Sequence, residues 1–123
     1  MKNNWIAVGG ISGFLAVAIG AFGAHSLKPY IQPELLETYR TGVLYHLIHA
    51  AVITAIGFSG KSEYSKAALF LSTGILLFSF SLYAYALTGI TFLAIITPFG
   101  GVSFLLGWLL IIISSFRKKE NNR

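Results

Sequence analysis

From Ala67 to Phe116 the chain runs fifty residues without one Asp, Glu, Lys, Arg or His. One crossing of a hydrocarbon core about 30 Å thick takes about 20 residues at 1.5 Å each, so this stretch must turn and cross twice. Two earlier runs have the same character. Trp5 to Ala24 has no charge, and Thr41 to Phe58 has only His46 and His49 besides Tyr45 as ionisable groups. Four spans are therefore expected, at about 5–24, 41–58, 67–87 and 95–116. The expected fold is all-α: one integral membrane domain, a four-helix bundle. Only 11% of the 123 residues are charged, too few to cover a soluble domain of this size. Ala16-Val17-Ala18 lies inside the first apolar run, so that run reads as a span rather than a cleaved leader.

Thr88-Gly89 and Pro98 mark the turn within the long uncharged stretch. Pro98 suits a first helical turn, which makes 88–97 a short connection and starts the last span near Ile95. Pro29 and Pro33 interrupt the first connection. Pro33-Glu34 reads as a helix start, so one helix is expected from about Pro33 to Phe58. The second connection, Ser59 to Lys66, is hydrophilic and contains Gly60.

With four spans, both termini and the second connection share a side. Lys2, Lys61, Lys66, Arg117, Lys118, Lys119 and Arg123 fall there, against Lys28 and Arg40 on the other. Basic flanks mark the cytoplasmic face, so both termini are expected in the cytoplasm. The net charge of +5 is thus an orientation signal. No nucleic acid is expected as partner.

Helices in lipid associate where small residues admit close backbones and where polar side chains pair. Gly9, Gly13, Ala16, Gly20 and Ala24 form one face of the first span. Gly42, His46, His49, Ile53 and Gly57 form one on the second. Gly74, Phe78, Ser81, Tyr85 and Thr88 do so on the third, and Gly100, Ser103, Gly107 and Ser114 on the fourth. These faces are expected to be packing surfaces within the chain, between copies, or against other membrane proteins. Trp108 lies near mid-span, where its N–H needs a partner.

His25, Tyr45, His46 and His49 are the candidate ligand-binding side chains. His46 and His49 lie one above the other on one helix face, in the half of the span nearer His25. Two readings follow. One is a site for a polar ligand or metal in the outer leaflet, built on His25 and His49. The other, favoured, is a hydrogen-bonded tie, with histidine N–H groups meeting a backbone carbonyl, a tyrosine hydroxyl or a serine on a facing helix. No catalytic residue, metal or cofactor is assigned. Glu37 and Arg40 are spaced to pair on an exposed helix face, where pairing contributes only a few tenths of a kcal/mol.

Gly20-Ala21-Phe22-Gly23-Ala24-His25 with Leu27-Lys28 resembles the first-span signature of the domain of unknown function 423 family. The resemblance continues through Tyr45, His49-Ala50, Leu77-Phe78-Ser79, Ser81-Leu82-Tyr83, Thr88-Gly89, Thr97-Pro98-Phe99-Gly100-Gly101, Phe104-Leu105 and Gly107-Trp108. It departs at Phe80, where glycine is usual, at His46, where glutamine is common, and near Tyr39, where tryptophan is usual. The resemblance implies a four-span protein of a bacterial plasma membrane and carries no activity. The expectation is a non-enzymatic membrane component that packs with itself or with partners. The alternatives are an oligomeric permease or channel component, and the ligand site around His25 and His49.

Overall fold

The computed structural model describes residues 4–121, with side chains from Asn4 to Arg117. Helix accounts for nearly all of them. Four helical stretches are long and apolar enough to cross a membrane: Asn4–Tyr30, Pro33–Ser59, Ser62–Thr88 and Thr91–Arg117. The first comprises α1 (Asn4–Phe22), a π turn (Gly23–Leu27) and a 3₁₀ turn (Lys28–Tyr30). The second is α2 (Pro33–Ser59), with Pro33 in its first turn and Glu34 beside it. The third is broken into α3 (Ser65–Gly74), a π turn (Ile75–Ser79) and α4 (Phe80–Thr88). The fourth is α5 (Thr91–Asn121).

The turns follow from backbone freedom. Gly60 and Gly89 hold φ of 68° and 73°, left-handed values that a residue with a Cβ adopts at a cost. Each closes its helix with a backbone bond, Gly60 N–H to Gly57 O at 3.2 Å and Gly89 N–H to Tyr85 O at 2.7 Å.

The connection placed at 88–97 shrinks to Gly89 and Ile90, and Pro98 lies inside α5 instead of opening it. Helix start signals sit earlier than the proline does: the backbone N–H of Leu93 bonds Ile90 O at 3.1 Å, closing a first turn there. Pro98 removes one N–H from the ladder near a helix end, where a lost bond is tolerated better than at mid-bilayer.

The spans pack mainly in sequence order. α1 lies along α2, α2 meets the third span, and α3 and α4 lie along α5, while the first and fourth spans make no substantial contact. The third span is thus the most enclosed, with 50% of its most apolar stretch buried, against 17% for the first. The main apolar core lies where α2, α3 and α5 meet, around Ile53, Leu71, Ile75 and Phe104.

Small residues set the distances. A Cβ on Gly9 would collide with the backbone of Thr54, and one on Gly57 with the backbone of Ile6. Gly23, not the expected Ala24, continues the first-span face, under the ring of Tyr39; Ala24 is exposed. Gly20 faces Val43, and Gly13 only approaches Ala50. On the other side Gly100 lies on the backbone of Phe78, Gly107 under Leu71, and Gly74 under the ring of Phe104.

Candidate functional site

Serine hydroxyls bridge the helices by donating to carbonyls on their neighbours. Ser79 Oγ donates to Gly42 O at 2.8 Å, Ser103 Oγ to Phe70 O at 2.7 Å and Ser114 Oγ to Glu63 O at 3.0 Å. Ser81 Oγ meets Thr97 Oγ1 at 2.6 Å. Tyr39 OH crosses to Ile19 O at 2.6 Å. Hydrocarbon offers such groups no other partner, so the bonds of Ser79, Ser103, Ser81 and Tyr39 hold pairs of helices in register, while that of Ser114 ties α5 to the connection ahead of α3.

His46 is fully buried. Its Nδ1 lies 2.8 Å from Tyr83 OH and its Nε2 3.1 Å from Ser12 Oγ. Three helices, α1, α2 and α4, therefore meet at one imidazole. Each hydroxyl can give or take a hydrogen, so either neutral tautomer satisfies both ends. Gly42 makes the space: a Cβ there would come within 2.8 Å of the Tyr83 ring. Phe80 caps the assembly, its ring centroid 5.4 Å from that of His46.

His49 turns the other way. Its Nδ1 lies 2.7 Å from Tyr45 O, and Trp108 Nε1 donates to its Nε2 at 3.1 Å. A carbonyl only accepts and an indole N–H only donates. The proton therefore sits on Nδ1 and the ring is neutral. The His49 ring stacks on Phe104 with centroids 3.7 Å apart and planes 10° from parallel.

Although His46 and His49 share a helix face in sequence, they bond to different helices. His25 is exposed and joins neither network. Among the described residues no group of three or more His, Asp or Glu is placed to hold a metal ion. Arg40 and Glu37 form no ion pair there either. In the sequence Tyr83 stands out only within the family motif Ser81-Leu82-Tyr83, and Ser12 not at all. The signal for Ser12 was a lone hydroxyl deep in the first apolar run.

Tyr45 contributes its ring. It is 39% exposed and packs on Phe78 at 4.7 Å between centroids. With Trp108, 40% exposed, it borders a groove of about 500 Å³ between the second and fourth spans, lined also by His49, Leu44, Ile48, Gly101 and Leu105.

A chain of four apolar helices, tied side to side by hydroxyl, imidazole and indole bonds, is a multi-pass integral membrane protein. It belongs to the family described as Protein of unknown function (DUF423), whose model matches residues 19–101. It is 39% identical over 118 residues to the UPF0382 membrane protein YwdK of Bacillus subtilis, covering 92% of this chain and 96% of that protein. It is 38% identical over 123 residues to a UPF0382 membrane protein of Haemophilus influenzae, covering 98% and 99%. It is 39% identical over 114 residues to the UPF0382 inner membrane protein YgdD of Escherichia coli, covering 89% and 87%. No solved structure matches. With relatives named as inner membrane proteins and four apolar helices of its own, the chain is a multi-pass protein of the bacterial plasma membrane.

Proposed function

We propose that this protein is a non-enzymatic component of the membrane that binds a transmembrane segment of another chain, or of a second copy, in the groove between its second and fourth spans. The supporting observation is the character of that groove. Tyr45 and Trp108 are both about two-fifths exposed there, over a floor of Phe78, Phe104 and Gly101. Trp108 lies too deep in its span for the interfacial role that explains most membrane tryptophans. Large aromatic side chains around a recess are the usual anchors of a protein interface. The small-residue stripes, by contrast, are mostly covered by packing within the chain, which moves the partner surface away from them.

The buried histidines support the non-catalytic part of this reading. Both ring nitrogens of His46 and of His49 are engaged in bonds to other groups. A general base or ligand would need one of them open.

The absence of cysteine from the sequence makes the test clean. Leu105→Cys on the groove and Ile11→Cys on an exposed face of α1 are to be cross-linked in native membranes. A protein adduct of defined mass at position 105 but not at 11 is expected, its mass telling a second copy from another chain. Equal labelling at both positions, or none at 105, refutes the reading.

A further inference from the structure

Beside this groove, across Leu44, the first and second spans touch at Gly9–Thr54, Gly20–Val43 and Gly23–Tyr39 but do not fill the lipid-facing side of their seam. They leave two recesses, of about 240 and 320 Å³, that meet at Leu47. With Leu47 lining both, they lie end to end as a furrow from Arg40 to Thr54, about 21 Å long at 1.5 Å per residue. That exceeds the depth of one leaflet, about 15 Å of hydrocarbon. At its upper end stands Arg40, exposed and without an ion-pair or hydrogen-bond partner among the described residues. Its floor includes two glycines that packing does not explain. A Cβ on Gly10 would meet nothing within 4 Å, and one on Gly13 would meet only Ala50, at 3.9 Å.

We propose that this furrow holds one glycerophospholipid, with its phosphate on the Arg40 guanidinium and an acyl chain along the glycine floor towards Thr54. The guanidinium matches two phosphate oxygens at once, and its charge complements theirs. The furrow has the length and apolar walls for a single chain, and Gly10 and Gly13 give it depth where a side chain would fill it. Phosphate is the recognised group, so phosphatidylglycerol and phosphatidylethanolamine should both bind. A glycolipid with the same acyl chains and no phosphate should not.

The full-length protein, purified in mild detergent, is examined by native mass spectrometry after exchange into bilayers of each lipid. One phospholipid retained per chain is expected, with retention of the glycolipid about tenfold lower, as loss of a charge-assisted contact implies. Arg40→Gln should lower phospholipid retention by about the same factor. Gly10→Leu, which fills the furrow from a position with room for a side chain, should lower retention of every lipid. Bare wild-type protein, equal retention of phospholipid and glycolipid, or full retention by Arg40→Gln would each overturn the assignment. So would a protein adduct, in place of lipid, from a cysteine cross-linker placed at Val17 on the furrow wall. Unchanged helicity of both variants by circular dichroism separates lost binding from lost fold.

Discussion

Two histidines three residues apart do different work because their partners differ in what they can donate. His49 is held between a carbonyl and an indole N–H, which allows one tautomer. Nitrogen-15 spectra of the labelled protein in detergent should show His49 protonated at Nδ1 alone. A second protonated nitrogen on that ring would contradict the Trp108 bond. Trp108→Phe keeps most of the ring volume and removes the N–H, so it should lower resistance to unfolding in detergent by about 1 kcal/mol. His46 sits between two hydroxyls, so a side chain with one donor and one acceptor can replace it. His46→Gln is expected to keep most of the stability. His46→Leu strands Ser12 and Tyr83 in an apolar setting and should cost about 1–3 kcal/mol. Equal losses for the two variants would show that the imidazole acts only by its volume.

At the scale of the helix, glycines divide by what lies opposite them. A Cβ on Gly100 would strike the backbone of Phe78, whereas one on Gly101 would rest at 3.9 Å from the Phe78 ring. Backbone cannot move aside as a side-chain tip can. Gly100→Ala should therefore separate the third and fourth spans and destabilise by about 1–3 kcal/mol, as overpacking does, while Gly101→Ala stays near neutral. Denaturation in mixed micelles compares the pair directly, and equal effects would refute the close approach. The π turn at Ile75–Ser79 works at the same scale. It aligns Tyr83 with His46 and Ser81 with Thr97 on a helix whose lower half packs against α5. Inserting one alanine after Leu76 turns Phe80–Thr88 by about 100°. Both cross-helix bonds should then be lost, with a drop in stability larger than Tyr83→Phe alone produces.

For the whole molecule, two recesses open to the lipid along α2, one towards α5 and one towards α1, with Leu44 on the edge of both. One is aromatic and the other is floored with glycine, and the two proposed occupants follow from that difference. Topology is a separate matter at this scale. Seven lysines and arginines against two are expected to hold both termini in the cytoplasm. Fusions to a reporter active only outside the inner membrane should be silent at either terminus and active when inserted after Tyr30. Activity at one terminus only would refute an even number of crossings.

Fold class was legible because an uncharged run of fifty residues leaves hydrogen-bonded helix as the only backbone that lipid accepts. The start of α2 at Pro33 and the turns at Gly60 and Gly89 were legible for the same local reason: each rests on the φ of one residue. Pro98 misled, since a proline that fits a first turn also fits deeper in a helix when a nearby end forgives the lost bond. The histidine ties were legible in kind, and their assignment was not. His46 and His49 look alike from their own helix. Which one meets Tyr83 and Ser12, and which meets Trp108, depends on the rotation of three other helices. That rotation is set by where glycines let backbones touch and by one π turn in the third span, and neither has a counterpart in hydrophobic period. The sequence by itself determined that the chain crosses lipid four times. The tertiary structure alone decided which polar groups face each other across the helices, because those pairings depend on contacts between residues far apart in the chain.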